Sequence, residues 1–495
     1  MSANMSITVK DLFKTIDCTI IGNANEPVEG LAYRSDAVKP GDAFFCIVGL
    51  TVDGHTFAQD AIDHGAKVLV VERKLYLADA TDVTLVVVAD SRKAMAASSA
   101  VFYNNPSAAF DLVGITGTNG KTTTSYLVEH IARTAEKTTG IIGTVGITIN
   151  GKHEEAERTT PESSDLQAIF ARMRDAGCEV VAMEVSSHAL DLLRTWGTTF
   201  AVTAFSNLTQ DHLDYHKTFD AYFEAKAQLF SSNYPAVRAI CIDDEWGEEL
   251  LSRCAQAGDT VISCGFNPAA QIHPISVDYA YTHTTISLDV RGRTYSFTYP
   301  LAGRFNVSNI MLAFAIGLGL GIDAETIVRA LESAPAVPGR MQQVSTTPDG
   351  LAAYVDYAHT PDALEKAIGA VKSLASGRTL VVFGCGGDRD ATKRPIMGKA
   401  ALTADYAIVT SDNPRTEDPL AIIDAIVAGM AEGEGRFEVE PDRRSAIAKA
   451  VAIAQPNDCI LVAGKGHEDY QILGTETIHF SDAEVVAEEL GKAGK

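Results

Sequence analysis

Short apolar runs separated by glycine-rich or polar turns recur along this chain, and stretches with apolar residues at helical spacing fall between many of them. Asp111-Leu112-Val113-Gly114-Ile115 reads as a short buried strand, and Tyr126-Leu127-Val128 with Ile131-Ala132 as one face of a helix. Later runs repeat the alternation at Glu179–Val185, Ala201–Phe205 and Ala239–Ile242, then at Tyr354–Tyr357, Thr379–Phe383, Tyr406–Val409 and Cys459–Ala463. Such alternation predicts mainly parallel sheets with helices on both faces. Residues 273–300 differ. Thr285–Val290 and Tyr295–Tyr299 alternate in polarity around Arg291-Gly292, which predicts a hairpin appended to the parallel sheet.

Punctuation divides the pattern in three. Residues 1–109 read as a small α/β unit, with a polar turn (Tyr33 onward) leading into a strand near Cys46, a helix at Phe57–Gly65 and a strand at Val68–Val71. The turn cluster Asn104-Asn105-Pro106-Ser107 closes it, and Ala334-Pro335-Ala336-Val337-Pro338-Gly339-Arg340 reads as a second linker. The expected fold class is therefore α/β in three domains: a small N-terminal domain at 1–109, a central phosphate-loop-type sheet at 110–336, and a C-terminal Rossmann-like domain at 337–495.

Composition narrows the class. At 495 residues, 46% hydrophobic and 21% charged, the chain suits a globular protein of roughly three domains. A net charge of −23 disfavours nucleic acid and anionic membrane as partners, so any phosphate site must be local. No run of about 18 apolar residues occurs, and Met1–Cys18 lacks a basic segment followed by an apolar core; a cytoplasmic protein without membrane insertion is expected. Eight cysteines include no C-x-x-C pair and read as reduced core residues, Cys385 in its glycine turn being the exception.

The strongest chemical signal is Gly114-Ile115-Thr116-Gly117-Thr118-Asn119-Gly120-Lys121-Thr122-Thr123-Thr124, between the strand and the helix described first. At a helix N-terminus, unpaired N–H groups and the dipole bind phosphate oxygens; Lys121 adds charge and Thr122 can ligate magnesium. The loop is a variant of the phosphate-loop pattern, with Ile115 where that pattern has glycine. Glu184 ends an apolar strand beside it, suited to magnesium, with a helix cap in Val185-Ser186-Ser187-His188 as the alternative. Thr209-Gln210-Asp211-His212-Leu213-Asp214-Tyr215-His216 packs two histidines and two aspartates after a strand, a candidate site without the H-E-x-x-H of a zinc protease, with capping aspartates as the alternative. Lys226 falls on the apolar stripe Phe219, Tyr222, Phe223, Leu229 and Phe230, where an ammonium must be paired, modified or snorkelling. Three polar loops follow strands in the last third: Gly384–Asp390, Ser411–Arg415 and Gly464–Tyr470. Arginine clasps carboxylate and Asp or Glu holds ammonium, so together they suit an amino-acid-like ligand.

These residues resemble the Mur ligase family over nearly the whole chain, with further similar motifs at Gly303-Arg304-Phe305-Asn306 with Asn309, at Pro338–Met341 and at Asp356-Tyr357-Ala358-His359-Thr360-Pro361. The resemblance implies that ATP phosphorylates the γ-carboxylate of UDP-N-acetylmuramoyl-L-alanyl-D-glutamate, and that the amine of meso-diaminopimelate attacks the acyl phosphate. It implies ATP binding by Gly117, Thr118, Asn119, Gly120, Lys121, Thr122, Thr123, Asn306, Asn309, Arg340 and Asp356. It assigns catalysis to Lys121, Glu184, His212 and Lys226, and Mg2+ to Thr122, Glu184, His212 and Lys226 as a CO2-derived carbamate. It places the nucleotide-peptide at Ser35, Thr159, Thr160, Ser186 and Arg194, and diaminopimelate at Arg389, Asp412, Asn413, Pro414, Arg415, Gly464 and Glu468. Leu192 stands where relatives carry glutamine. The expected partners are these small molecules, without nucleic acid, and the expected state is a monomer. L-Lysine as the amino acid, a folylpolyglutamate synthase-like ligase and a non-catalytic nucleotide switch are the alternatives.

Overall fold

The computed structural model describes residues 7–49, 51–75, 82–279, 283–300, 303–347, 350–433 and 435–494. Residues 1–6 and 280–282, which belong to the N-terminal and hairpin stretches read above, lie outside the described residues. The chain gathers into two compact units, Met1–Gly114 with Lys137–Ala201 and Gln228–Ala236, and Ile115–Glu136 with Val202–Ala227 and Val237–Lys495.

The first unit contains a five-stranded sheet in the order Cys18–Ile21, Thr84–Val88, Val68–Val71, Ala43–Phe45, Leu31–Ala32, parallel apart from Cys18–Ile21. Successive residues of its strands feed opposite cores, as the two-residue period of a strand dictates. Ala43, Phe45, Val68 and Val70 pack with Ala94 and Met95 of the helix Ser91–Phe102. Phe44, Leu69 and Val71 pack with Ala58 and Ala61 of the helix Ala58–Asp63. The same unit holds the parallel strands Thr139–Gly143 and Val180–Glu184, and the helix Ser163–Asp175.

In the second unit Val202–Phe205, Val237–Cys241 and Val261–Cys264 run parallel. Ile272–Tyr279, Thr284–Val290 and Arg293–Tyr299 follow as an antiparallel meander, so the expected hairpin gains a third strand. Its turn is Arg291-Gly292, both at positive φ (54° and 84°), the geometry that joins twisted strands through two residues. Residues 334–340 form neither helix nor strand, as their prolines predict.

The last third of the chain is a six-stranded sheet ordered Gln342–Thr346, Ala352–Asp356, Cys459–Ala463, Thr379–Phe383, Tyr406–Val409, Phe437–Val439, parallel except for the first strand. Pro361–Leu374, Arg394–Ala401 and Pro419–Val427 cover one face; Arg443–Ile453 and Asp482–Ala493 cover the other. The parallel strand that comes last in the chain, Cys459–Ala463, lies between two that come earlier, the arrangement that places a crevice at the carboxyl ends of the strands. Arg443 and Asp482, both 0% exposed, brace that end. Arg443 donates twice to Asp482 (2.8 and 2.7 Å) and once to the carbonyl of Ala463 (3.0 Å).

Cys385 is a correction. The glycines around it suggest a surface turn, but the residue is buried and burial pushes its thiol up to about 12; Cys18 is the cysteine that reaches partway to solvent.

Candidate functional site

The glycine loop joins the strand Asp111–Thr116 to the helix Lys121–Thr134. Gly117 and Gly120 have φ of 142° and 89°, and a Cβ on either would overlap Ser206 Oγ or Asn309 Oδ1. Both glycines are therefore required by backbone conformation and by close approach. The loop is held open by its surroundings: Asn119 N donates to Asn207 Oδ1 (3.0 Å), Ser206 Oγ to Asn119 O (2.6 Å) and Thr209 N to Thr118 Oγ1 (3.0 Å). Among the described residues no side chain caps the helix at Gly120, and its N-terminal end carries the dipole that favours an anion. Thr122 and Thr123 lie buried in its first turn.

Two lysines meet at one carbonyl. Lys121 Nζ donates to Gly117 O (3.0 Å) and Thr118 O (2.9 Å), and Lys226 Nζ donates to Gly117 O (2.8 Å). The Lys226 side chain lies on the buried face of Phe219–Ala227 at 2% exposure, with its Nζ 4.4 Å from the centre of the Tyr222 ring. Burial first, then the charge of Lys121, hold its amine well below the ordinary lysine range, against the pull of Asp211. A neutral amine is the form that adds CO2, so the environment fits a carbamate.

Asp211 is buried, which raises a carboxyl, but His212, His359, Lys393 and Lys121 hold it down at about 2. His212 is half-exposed at positive φ (54°), and its Nε2 is 3.3 Å from Asp211. His359 Nδ1 donates to Tyr357 O (2.8 Å); burial, then Lys393, lower this imidazole to about 4. From the last third of the chain Arg340 Nη2 donates to Thr122 Oγ1 (2.9 Å) while its guanidinium lies 4.6 Å from the Tyr357 ring centre. Asp356 accepts from Met341 N (2.6 Å), and Asn119 Nδ2 donates to Asp362 Oδ2 (2.9 Å). Asn306 and Asn309 are buried on the helix Arg304–Gly319, one turn apart. Loop, Lys226, His212, Asn309, Arg340 and Asp356 thus share the second unit. Asp211, His359, Lys393 and Asp362 join them; only the first two stood in motifs legible from the sequence. Among the described residues no three His, Cys, Asp or Glu side chains group to hold a metal.

In the first unit Thr159, Thr160, Glu184, Ser186 and Arg194 form one hydrogen-bonded set. Thr160 Oγ1 donates to Glu184 O (2.9 Å) and accepts from Ser186 N (3.1 Å), and Arg194 Nη1 donates to Thr160 O (3.0 Å). Arg194 pairs with Glu162 at 2.9 Å, each about nine-tenths buried. The Glu184 carboxylate accepts from Thr144 N (2.9 Å) and Oγ1 (3.0 Å), and Thr144 Oγ1 lies 3.1 Å from Thr159 Oγ1. Sequence reasoning gave no role to Thr144, or to Glu162 beside Thr159, Thr160 and Pro161; in the structure Gly143 lies so close that a Cβ there would overlap Glu184 Oε1. Ser186 is also the helix cap, accepting from Ala189 N. Ser35 opens the turn Ser35–Ala37 outside this set, although Tyr33 OH donates to Asp165 (2.7 Å).

The loops of the six-stranded sheet converge on Asn413. Its Oδ1 accepts from Lys465 Nζ (3.2 Å) and Ile472 N (2.9 Å), and its Nδ2 donates to Glu468 Oε2 (2.9 Å). Asp412 stands against Gly464, where a Cβ would lie 2.6 Å from Asp412 Oδ2. Arg415, at φ 54°, donates through Nη1 to Gly387 O (2.8 Å), and Pro414 packs its carbonyl on Gly387. Arg389 is exposed and donates to Asp388 O (3.0 Å); among the described hydrogen bonds it does not join the Asn413 group. Among the described residues no helix is long and apolar enough to cross a membrane.

Family models match in three places: "Mur ligase family, catalytic domain" at residues 27–109, "Mur ligase middle domain" at 115–317 and "Mur ligase, glutamate ligase domain" at 339–466. The chain is 45% identical over 467 residues to the UDP-N-acetylmuramoyl-L-alanyl-D-glutamate–2,6-diaminopimelate ligase of Gloeobacter violaceus, covering 94% of each. It is 43% identical over 480 residues to the protein of the same name from Clostridium botulinum, covering 96% of this chain and 98% of that one. A solved structure of a ligase of that name superposes with a TM-score of 0.70 at 30% identity, covering 99% of this chain and 100% of the other. With such identity along nearly its full length, the chain is a member of the Mur ligase family.

Proposed function

We propose that this chain is an ATP-dependent ligase that joins meso-diaminopimelate to the γ-carboxylate of D-glutamate in UDP-N-acetylmuramoyl-L-alanyl-D-glutamate, a cytoplasmic step of peptidoglycan precursor synthesis. The reading assigns the nucleotide-peptide to 1–109 and to the Thr159–Arg194 set, ATP to 110–336 and the amino acid to 337–495. The observation that carries it is the second unit's combination of a phosphate loop flanked by two lysines with an arginine, amide and carboxylate cluster at strand ends. The names of the relatives at 45% and 43% identity support the same substrates.

In this mechanism the loop N–H groups and Lys121 hold the β- and γ-phosphates, while Asn306, Asn309, Arg340 and Asp356 hold the rest of the nucleotide. Positioning and charge stabilisation supply most of the acceleration in phosphoryl transfer. The substrate carboxylate attacks the γ-phosphorus and ADP departs; the amine then attacks the acyl carbon and phosphate leaves. Magnesium, when bound, offsets charge on the phosphate oxygens, and Thr122, His212 and a carbamate on Lys226 are oxygen or imidazole donors suited to it. Arg415 suits the second carboxylate of diaminopimelate, which L-lysine lacks, and Glu468 suits an ammonium.

The test is phosphate release by the purified protein with ATP, magnesium and the UDP-dipeptide, with the product weighed by mass spectrometry. Release that requires both the dipeptide and diaminopimelate, with a product heavier by one diaminopimelate less water, is expected. ATP hydrolysis indifferent to either acceptor would overturn the assignment.

A further inference from the structure

Lys465 is 0% exposed, a lysine buried at the end of a strand beside the amino-acid loops. It follows the strand Cys459–Ala463 by one glycine, Gly464, at φ 117°. Its Nζ reaches Asn413 Oδ1 at 3.2 Å and Glu468 Oε2 at 3.1 Å, and stands 5.3 Å from the centre of the Tyr470 ring. The geometry settles which end of the Asn413 amide is which. Two donors, Lys465 Nζ and Ile472 N, point at one terminal atom, so that atom is the oxygen. The amide nitrogen is then left to donate to Glu468 Oε2. Turning the amide over would set its NH2 against an ammonium and a backbone N–H.

Glu468 Oε2 therefore takes two donors, from Lys465 and Asn413, and among the described residues none reaches Oε1. One oxygen is anchored and the other is held as an acceptor.

Resting on the functional reading above, we propose that Lys465 is a positioning residue for the incoming amino acid: it fixes the Asn413 amide and anchors Glu468 Oε2, with Oε1 presented to the substrate ammonium. Lys465 does not touch the substrate in this account; it acts through Glu468. Burial pushes Glu468 above the ordinary carboxyl range, and the neighbouring Asp412 adds to that, while Lys465 opposes both. Among the described residues Arg443, Tyr357 and Tyr470 also interact with the Glu468 charge. Without Lys465 the charge that opposes burial is lost, so the Glu468 carboxyl becomes harder to ionise and a weaker acceptor for an ammonium as pH falls.

The experiment measures KM for diaminopimelate and kcat across about pH 6.5 to about pH 8.5 in wild type, Lys465→Met, Glu468→Gln and the double variant, with thermal melts as a folding control. Lys465→Met is expected to raise KM for diaminopimelate about 30-fold near neutrality, and more as pH falls, with kcat within about threefold and KM for ATP unchanged. The double variant is expected to be no worse than Glu468→Gln, because both changes remove one function. A pH-independent KM in Lys465→Met, or full additivity in the double variant, overturns the inference and leaves the functional reading standing. Absence of diaminopimelate-dependent phosphate release in wild type overturns both. Should Lys465→Met fail to fold, Lys465→Gln and the wild-type profile decide, since a wild-type KM rising more than about tenfold between pH 8.5 and pH 6.5 also overturns it.

Discussion

Asp482→Ala tests whether the buried pair beneath the strand-end loops holds the amino-acid site in place. The change removes both charge-assisted bonds, at 2.8 and 2.7 Å, from a guanidinium that is 0% exposed in the intact pair, and among the described residues leaves it the carbonyls of Ala463 at 3.0 Å and Ser411 at 3.4 Å. Burial opposes the arginine's charge and Asp482 more than offsets it, holding the guanidinium above its ordinary range. Breaking such a pair from one side costs about 3–5 kcal/mol. Against a total of roughly 5–15 kcal/mol, that removes much of the reserve of the six-stranded sheet. Urea unfolding followed by circular dichroism should show the loss as a lower midpoint at constant slope, and calorimetry as a fall of roughly 6–20 °C in the transition that contains this sheet. Replacing both partners, Arg443→Met with Asp482→Leu, should return most of it, since apolar groups of similar volume need no counter-charge. Because Arg443 bonds the carbonyls of Ser411 and Ala463, just before Asp412 and Gly464, KM for diaminopimelate should rise in Asp482→Ala at temperatures where the protein stays folded. A cost below about 1 kcal/mol would refute the reasoning, because it would mean that the guanidinium finds water or another partner.

Other expectations follow from single contacts. Lys226→Ala should lower kcat by about 100-fold or more, with part restored by added short-chain carboxylates, as steady-state phosphate release would measure; undiminished activity would exclude the carbamate. Gly117→Ala places a Cβ on Ser206 Oγ at a φ of 142°, so KM for ATP should rise about tenfold or more while the fold, read by circular dichroism, is kept. His359 is held neutral down to about 4, below the 6.5 of a free imidazole, so the unfolded chain binds the extra proton first as pH falls. Its contribution to stability is complete above about pH 6.5 and is lost toward pH 4; His359→Asn should flatten that part of a melting-temperature profile, and an unchanged slope would contradict the assignment.

Much of this architecture was legible because continuous apolar strands end in recognisable turns. Thr379–Phe383, Tyr406–Val409 and Cys459–Ala463 form with the boundaries the runs predict. The lysine on the apolar stripe was legible for the same reason, since a period of 3.6 places Lys226 among Tyr222, Phe223 and Leu229. What was not legible depends on contacts distant in sequence. Arg340 reaches Thr122 across 218 positions and Asn119 reaches Asp362 across 243, and no local pattern encodes such a pairing. Thr144 and Lys465 were passed over because a threonine after a strand and a lysine between glycines are ordinary surface residues until the fold half-buries the one and buries the other beside carboxylates. Cys385 misled in the opposite sense: glycines mark a turn, and this turn packs inward against Thr410 and Ser411.

The central claim rests most directly on the choice of amino acid. Measured side by side with ATP, magnesium and the UDP-dipeptide, kcat/KM for meso-diaminopimelate should exceed that for L-lysine by at least about 100-fold, the discrimination a bidentate arginine–carboxylate pairing can supply. Arg415→Ala should erase most of that ratio. Equal use of the two amino acids, or a preference for L-lysine, would contradict the role given to Arg415 and with it the substrate proposed for this ligase.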